Sequence, residues 1–583
     1  MQLKSLKVKN FRGVRSAQLD FSETTVLIGE NNCGKTSLMD ALSLALARTK
    51  SQAPQFQRRQ FYWPGNSDDE HKDSSMPGIS LELVFIEKRA GEWRRPEMQS
   101  FDSLATGDPT RPRSISLWLE ADSPVSSAQT VPARWRIGPS ENPSAAVVND
   151  LELLHELRRF NPLVELRGCP LTAAAFGNGE RHANGASEPP AIIDAETRRL
   201  HHRVERHFRK LVSGGTRERE AETAAGFEAA EALLEHLGIE LKPAGGLTQA
   251  AISDLLGESS RIIHEQRKTL PTSSVQRMGV LIFTAVILRR LPHDADQLAW
   301  PIVLLEDPEA HLHRMTLASV WRLVSSFDAQ KIIATQSPSL LASAPVTSLR
   351  RLVRHHGDVL QWRVREGALE HDELRKLGYH LRARRGEASF ARAWILVEGE
   401  TEFWVVNELA RITGHDFDIE GIACMEFAQC GLTPLIRMAR ELGIEWHLLT
   451  DGDAAGRSYV TRTRALYLEG DSDEERITHL SEHDLEHCFH DHGYAEVFQR
   501  LAGKTGDPGP HVSPSQLIQL ATRRHAKPDI ALQLMVEAAE RGRKGVPPPL
   551  ARMIETVIKL ARTAPERMAT QRIKGRARKD RNR

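Results

Sequence analysis

The sequence is short of cysteine, of long apolar runs and of net charge, and each shortage removes a class of protein. Its 583 residues include only five cysteines. They are scattered without metal-ligand spacing, which is typical of reduced cytoplasmic thiols rather than of a disulfide framework. No apolar run approaches the roughly 20 residues that a bilayer span needs, and the opening MQLKSLKVKN is too polar for a secretory signal. We therefore expect a cytoplasmic protein without a membrane partner.

The net charge of the whole chain does not indicate a binding partner, but the charge of one segment does. The formal net charge is +1, and 40% hydrophobic with 27% charged residues describes a globular chain long enough for several domains. The exception is the basic segment QRIKGRARKDRNR at residues 571–583. Such a tail either contacts phosphates or only keeps the chain soluble, and the sequence leaves both interpretations open.

Short apolar strands alternate with amphipathic helices, which is the pattern of an α/β protein. The predicted strands are Leu3–Val8, Thr25–Ile28, Ile79–Ile86, Ser114–Glu120, Ile302–Leu305, Lys331–Ala334, Leu349–Val353, Trp394–Val397 and Trp446–Thr450. A charged linker is predicted from Leu377 to Glu387. The predicted first domain has two parts, at 1–150 and 266–376. A helical insertion at 151–265, a candidate dimerisation arm, separates them. A second α/β domain with a helical extension follows at 388–570, and the tail occupies 571–583.

The strongest motif is the octapeptide GENNCGKT at residues 29–36. It matches the phosphate-binding loop G-x-x-x-x-G-K-[ST] and lies between a predicted strand and a predicted helix. Glycines let the backbone wrap around phosphates, and the amides at the start of the helix point towards them. Lys35 is expected to reach the β- and γ-phosphates, and Thr36 to bind Mg²⁺. The predicted ATP-binding residues of this segment are Gly29, Asn31, Asn32, Gly34, Lys35, Thr36 and Ser37.

A second buried strand, Ile302–Leu305, is followed by the acids Glu306 and Asp307. At the carboxyl end of a strand, Glu306 is suited to hold the water shell of Mg²⁺, and Asp307 to orient the attacking water. Because strands that end in acids are common, this prediction depends on the combination with the phosphate-binding loop. Together the two motifs predict an ATPase with bound Mg²⁺.

These segments resemble an ABC-type ATPase of the RecF/SMC group. The resemblance is carried by KVKNFRGVRSAQLDFSETTVLIGENNCGKTSLMDAL, LLEDPEAHLHR and IIATQSPSLL. It implies at least a homodimer, because the signature segment of a second subunit completes such a site. Gln57 or Gln60 is the candidate metal-sensing glutamine by position. The chain departs from the group at Gln336, where histidine is usual, and at its reduced signature segment Ser273–Arg277; both departures argue against fast hydrolysis and leave ATP binding intact.

A second group of acids follows two other predicted strands. Glu398 and, one helical turn later, Glu402 follow the first strand, and Asp451 and Asp453 follow the second. Residues two apart at a strand end project to the same side. Crowded carboxylates repel one another unless a divalent cation lies among them, and ligands that are all oxygen favour Mg²⁺ or Mn²⁺.

A strand-borne Glu followed by D-x-D-x-x-G is similar to the Toprim domain of topoisomerases, primases and certain nucleases. An ABC-type ATPase, a helical insertion and a Toprim domain in this order resemble the OLD (overcoming lysogenization defect) family of nucleases over nearly the whole chain. The resemblance implies a cytoplasmic DNA nuclease with two metal ions, in phage defence or DNA metabolism, with a helicase or another defence protein as a candidate partner. The metal ligands that it implies are Glu398, Glu402, Asp451, Asp453 and Glu486. Asp484 is a further candidate, and Lys527 or Lys544 is the expected lysine that neutralises the phosphate in the transition state.

Other functions compete with this interpretation. An ATP-gated DNA clamp of the RecF or SMC kind would bind DNA without cutting it, with a structural Toprim-like half. A strand-passing topoisomerase needs a nucleophilic tyrosine, and none of the five tyrosines lies in a recognisable cleavage motif. The histidines His483, His487, His490 and His492 have no cysteine at metal spacing, so we interpret them as a polar face near DNA rather than as a zinc site.

Overall fold

The computed structural model describes residues 1–46, 55–63, 77–105, 110–124, 130–140, 150–167, 299–309, 329–381, 386–503 and 512–581, with a few single residues and short stretches between them. These residues form two compact units. The first consists of Met1–Ala344 with His356–Gln361, and the second of Pro345–His355 with Trp362–Arg583.

The strands are numbered in chain order. They are β1 Gln2–Phe11, β2 Val14–Asp20, β3 Thr24–Ile28, β4 Gln55–Gln57, β5 Ile79–Ile86, β6 Ser114–Ala121, β7 Thr130–Pro132, β8 Arg134–Pro139, β9 Val147–Val148, β10 Leu163–Arg167, β11 Ile302–Glu306, β12 Gln330–Ala334, β13 Leu349–His355, β14 Asp358–Trp362, β15 Ala393–Val397, β16 Ile422–Glu426, β17 Glu445–Thr450 and β18 Ile477–His479. Every strand predicted from the sequence coincides with one of these within a few residues.

The helices are numbered in the same way. They are α1 Lys35–Leu46, α2 Gln99–Leu104, α3 Leu151–Phe160, α4 Pro338–Leu341, α5 His371–His380, α6 Glu400–Ile412, α7 Phe417–Glu420, α8 Leu432–Glu441, α9 Ala454–Arg464, α10 Asp473–Arg476, α11 Leu485–Phe489, α12 Ala495–Leu501, α13 Pro514–Arg524, α14 Lys527–Arg541 and α15 Pro548–Arg581. None of the helices that the structure describes is long and apolar enough to cross a membrane.

The first unit contains a run of parallel strands in the order β10, β11, β12 and β3. Most of the described residues in these strands are buried, because parallel strands are covered on both faces; in β11 all four residues of Ile302–Leu305 are buried. The carboxyl ends of parallel strands meet at one edge of a sheet. The phosphate-binding loop follows β3, Glu306 ends β11, and Gln336 follows β12, so the predicted nucleotide residues reach the same edge.

The remaining strands of this unit are mostly antiparallel. β2, β1, β5, β6, β8 and β9 pair in this order. Along β5 the residues Ile79, Leu81, Leu83 and Phe85 are buried, and those between them are partly exposed. This period of two is expected of an antiparallel strand with one face on the core.

A strand of the first unit lies inside the predicted helical insertion. α3 is helical as expected, with the Asp150 side chain accepting a hydrogen bond from the Leu153 amide at 3.0 Å. The next segment is β10, which pairs in parallel with β11, with Leu163 opposite Ile302. Its short apolar run has the length of a strand rather than of a helix. The sheet therefore continues past the predicted boundary at residue 150, and almost all of residues 168–265 lie outside the described part of the chain.

The second unit is built around a parallel sheet in the order β16, β15, β17 and β18. All of β15 is buried, and its side chains alternate between two hydrophobic clusters. Ile395 and Val397 belong to a cluster with residues of α6, α14 and α15, and Trp394 and Leu396 to a cluster with residues of α5 and α8. The central strand is therefore covered on both faces, as a parallel sheet requires.

The predicted charged linker Leu377–Glu387 is wrong at its start, because α5 continues to His380. Leu377 is fully buried, and it shares the second cluster with Leu381 and the partly buried Leu374. These leucines are three and four residues apart, which places them on one face of a helix. The charged residues between them lie on the opposite face, and it was their charge that resembled a linker.

Candidate functional site

The ends of β15 and β17 bring two acids to one edge of the second sheet. The strands are adjacent and parallel, so Glu398 and Asp451 follow them at the same edge. α6 begins immediately afterwards, with Gly399 as its N-cap residue. Glu402 Oε2 accepts a hydrogen bond from the Gly399 amide at 3.0 Å, and this bond turns the Glu402 carboxylate back towards the strand end.

The turn that carries Asp451 and Asp453 is held by backbone packing that favours glycine. The Gly452 amide donates to Glu482 O at 3.0 Å, and a Cβ atom at Gly456 would collide with the Asp451 carbonyl. Asp453 caps α9, with its Oδ1 accepting from the Gly456 amide at 2.7 Å. Both glycines of the segment DGDAAG at residues 451–456 are thus explained by close packing around the aspartates.

Asp451 is a strongly perturbed carboxyl group. Burial, followed by repulsion from nearby carboxylates, raises the pKa of Asp451 to about 7. The repelling groups, from the largest effect to the smallest, are Glu402, Asp484, Glu486 and Glu398. Carboxylates crowded in this way are stabilised together by a cation that attracts all of them at once.

Glu398 and Glu486 are perturbed in the same direction. Burial raises the pKa of Glu398, repulsion from Glu402 and Asp453 adds to it, and Lys527 opposes it. Burial also raises the pKa of Glu486, again against the effect of Lys527, whose Nζ lies 3.7 Å from Glu486 Oε1. The Glu486 carboxylate is the main reason that the pKa of Lys527 is raised. A single ammonium group therefore interacts with acids from several elements.

The structure brings all five predicted metal ligands into one electrostatic network with Lys527. The acids of the network are Glu398, Glu402, Asp451, Asp453 and Glu486. Lys544 is at a different place, exposed in the turn Gly542–Gly545 that follows α14. Lys527 opens α14, and a helix of 15 residues is about 22 Å long, so the two lysines lie far apart.

Tyr459 also reaches the acids, although the sequence drew attention to tyrosines only as covalent nucleophiles. Its ring packs edge-on against Phe427 with centroids 4.9 Å apart. The pKa of Tyr459 is raised by burial and by repulsion from Glu398 and Asp453. The signal that identifies it is its position in α9, the helix that Asp453 caps.

The Asp484 carboxylate accepts hydrogen bonds from a histidine. His487 donates its backbone amide at 2.9 Å and its Nδ1 at 2.6 Å to Asp484 Oδ1. Burial disfavours the Asp484 carboxylate, but these hydrogen bonds outweigh it and lower the pKa of Asp484. The interpretation that no cysteine accompanies the histidines is wrong, since Cys488 Sγ lies 3.9 Å from His492 Nδ1. Residues four apart meet across one helical turn.

The phosphate-binding loop of the first unit has the backbone that its glycines predict. Gly29 and Gly34 have φ values of 149° and 102°, and a glycine adopts the second of these conformations without strain. Lys35 is buried, and its Nζ donates to Gly29 O at 2.7 Å and to Glu30 O at 3.0 Å. Thr36 is exposed at the start of α1. The loop therefore presents its lysine, hydroxyl and helix amides at the edge where an anion is expected.

The acids after β11 are joined to the segment after β12 by a residue that the sequence did not single out. Glu309 Oε1 accepts from Thr335 Oγ1 at 2.7 Å and from the Gln336 amide at 2.7 Å. The Asp307 amide donates to Ala334 O at 2.9 Å, and burial, with repulsion from Glu309, raises the pKa of Asp307. The predicted signature segment lies outside the described residues.

Comparison with known proteins decides the family. The family model described as "Protein of unknown function (DUF2813)" matches residues 1–388. The chain belongs to the DUF2813 family. This DUF2813 chain is 33% identical to "Uncharacterized protein YbjD" of Escherichia coli (strain K12) over 583 aligned residues, which cover 96% of this chain and 99% of that protein.

The second unit of this DUF2813 chain is matched by a different model. Residues 390–453 match "Overcoming lysogenization defect protein-like, TOPRIM domain", which confirms the predicted OLD-like Toprim domain. The C-terminal region of the Burkholderia pseudomallei OLD protein is 19% identical, with a TM-score of 0.25, over 30% of this chain and 99% of that chain. The DNA replication and repair protein RecF of Exiguobacterium sp. is 51% identical over 51 residues, which cover 8% of this chain and 14% of that protein. The DUF2813 chain thus joins a unit that carries a P-loop motif to an OLD-like Toprim domain.

Proposed function

We propose that this chain is a DNA nuclease that hydrolyses phosphodiesters at the acidic edge of its Toprim domain, with Mg²⁺ or Mn²⁺, under the control of its ATPase unit. The observation that carries the proposal is the meeting of five carboxylates with one lysine at a single sheet edge. The match of residues 390–453, which include Glu398, Glu402, Asp451 and Asp453, to an OLD-like Toprim domain supports it.

The donor set fits hard divalent cations. Every carboxylate in the network offers oxygen atoms, which Mg²⁺ and Mn²⁺ prefer. Glu402 is central, because it repels Glu398, Asp451 and Glu486 alike. With Glu398, Asp451, Asp453 and Glu486 around it, the set has enough carboxylates to supply ligands for two ions. When bound, two such ions supply an activated water and stabilise the leaving oxygen.

The chain's own residues hold and orient the phosphate. Lys527 lies beside the acids, where its ammonium group can donate to the phosphate oxygens that gain charge in the transition state. Tyr459 lies near Glu398 and Asp453, where its hydroxyl can contact a bound phosphate. Lys544 is assigned no role at the phosphate.

The nucleotide unit is proposed as the regulator. Lys35 and Thr36 would bind the phosphates and Mg²⁺ of ATP, and Glu306 and Asp307 would position the water. We propose at least a homodimer in the cytoplasm, since an ABC-type site is completed by a second subunit. A role in phage defence or DNA metabolism, with a helicase or another defence protein as partner, extends the OLD resemblance of the Toprim domain.

A plasmid-nicking assay tests the proposal. Supercoiled plasmid is incubated with the full chain in Mg²⁺, Mn²⁺ or EDTA, and with the variants Asp451→Ala and Asp418→Ala. Asp418 is an exposed acid of the same unit and serves as the matched control. We expect metal-dependent nicking that falls more than about 100-fold in Asp451→Ala, since removing even an outer-sphere partner of a metal costs 10–100-fold, and no change in Asp418→Ala. Intact plasmid in every metal, with DNA retained on the protein, would replace the nuclease with an ATP-gated DNA clamp.

A further inference from the structure

The second unit contains a cleft next to the acidic edge that the proposed hydrolysis does not use. Its volume is about 850 Å³. One wall is the outer face of α5, and the others are residues 345–347 and Gln429. All of these residues belong to the same compact unit.

The α5 wall carries cations and an aromatic ring. Asp372, Arg375, Lys376 and Tyr379 line the cleft and are exposed, and their spacing of three and four residues places them in one stripe along the helix. Tyr379 is 69% exposed, so the face of its ring is accessible to a base that stacks on it. Arg375 lies 3.9 Å from Asp372, so that acid offsets only part of the positive charge.

The cleft is continuous with the acidic edge through one loop. Gln429 lies in the loop that follows β16, and two amides of the same loop are bonded to the end of β15. Phe427 N donates to Val397 O at 2.9 Å, and Ala428 N donates to Glu398 O at 3.2 Å. The cleft wall at Gln429 is therefore one residue away from Ala428, whose amide is bonded to Glu398 at the acidic edge.

We propose that this cleft binds an unpaired DNA strand and guides it to the acidic edge, with Tyr379 stacking on a base and Arg375 and Lys376 contacting phosphates. The inference rests on the proposed nuclease function and adds a preference for strands whose bases are unpaired. Proteins that bind single strands combine a positive groove with exposed aromatic rings, because every base has a face that stacks. In an intact duplex the bases are already stacked on one another and do not reach such a ring.

The test is fluorescence anisotropy of the full chain with a labelled single-stranded oligonucleotide in EDTA, where no cutting occurs. We expect Tyr379→Ala to weaken binding by about 5-fold or more, the lower end of measured base-stacking contributions, and Tyr379→Phe to restore it. The double variant Arg375→Ala/Lys376→Ala should reduce the slope of log K against log salt by about 1.4, since each phosphate contact with a single strand contributes about 0.7. Circular dichroism verifies that each variant is folded.

Arg411→Ala is the matched control. Arg411 is 66% exposed and lies 3.3 Å from Glu408, three residues earlier, much as Arg375 is 75% exposed and lies 3.9 Å from Asp372. The control should bind as the unchanged chain does. Wild-type affinity and salt slope in the cleft variants would overturn the proposal, and so would equal losses for single-stranded and duplex DNA. Either result leaves the nicking assay with Asp451→Ala unaffected, so the failure of the cleft and the failure of the nuclease are distinguishable.

Discussion

The two units place opposite charges at the same position of similar sheets. In the first, the edge after β3 presents Lys35 and helix amides to an anion. In the second, the edge after β15 and β17 presents carboxylates to a cation. Both edges are the carboxyl ends of parallel strands, where ligands of such sheets bind. The topology therefore fixes where a site forms, and the few residues after each strand fix what it binds.

The two sites differ in how much of each lies in one unit. The acids of the network and Lys527 all come from the second unit, between Glu398 and α14. The nucleotide site is expected to need the signature segment of another subunit. We therefore expect metal-dependent cutting to survive when nucleotide binding is removed, so the Lys35→Ala variant described next should still nick plasmid in Mg²⁺ or Mn²⁺.

The largest effect is expected for Lys35→Ala. The substitution removes the cation that faces the phosphates, and ATP binding should weaken by more than about 100-fold, because charge-assisted hydrogen bonds to phosphate are the strongest contacts of such a site. Isothermal titration with ATP measures it. Lys7→Ala, a half-exposed lysine on β1 that pairs with Glu82, should bind ATP normally. Unchanged ATP affinity in Lys35→Ala would overturn the assignment of the loop.

The second prediction compares the two candidate lysines. Lys527→Ala should slow plasmid nicking by about 100-fold, comparable to the loss of one donor that stabilises transition-state charge, with little change in DNA binding. Lys544→Ala, in the exposed turn after α14, should change the rate by less than about 2-fold. The opposite order would show that another conformation brings Lys544 to the phosphate.

The smallest effect concerns stability in the second unit and depends on pH. His447 is buried in β17, where Nδ1 donates to Glu475 O at 2.8 Å and Nε2 accepts from Thr478 Oγ1 at 2.9 Å. Burial lowers the pKa of His447 to about 4, with the charge of Arg476 adding to it. In the unfolded chain this histidine takes up a proton near pH 6.5, whereas buried His447 stays neutral until about pH 4. The stability that neutral His447 gives the folded state is therefore fully present above pH 6.5 and is lost as the pH falls towards 4.

Between pH 7 and pH 5 the loss should amount to about 2 kcal/mol. Hydrogen exchange of β17 amides, corrected for intrinsic rates, measures it as a drop in local opening free energy. His447→Gln cannot titrate and should remove most of the pH dependence, whereas His371→Gln, at an exposed position of α5, should retain it. An equal pH dependence in the unchanged chain, His447→Gln and His371→Gln would show that other groups cause the loss of stability.

The sequence predicted the strands and both motifs because each depends on local pattern. Buried parallel strands are continuous apolar runs, and the residues after them are adjacent in the chain, so Glu306, Glu398 and Asp451 could all be proposed. The choice between Lys527 and Lys544 could not be made, because the packing of α14 against the Toprim core decides which lysine meets Glu486. Tertiary contacts of this kind leave no periodic signal.

The wrong and missing predictions have the same cause. The leucine stripe of α5 was hidden by the charged residues on its outer face, although its spacing was visible. β10 was assigned to a helical insertion because its partner β11 lies more than a hundred residues later in the chain. Glu309 was passed over because its importance comes from hydrogen bonds to Thr335 and Gln336, which no spacing reveals.

The double hydrogen bond of Glu309 has a consequence for how the ATPase unit can evolve or be engineered. One oxygen atom fastens the loop after β11 to the loop after β12, so the two loops move as a single piece. A substitution that shifts Gln336 is therefore expected to displace the neighbourhood of Asp307 as well. If the two residues serve ATP as proposed, we expect that neither can be adjusted alone.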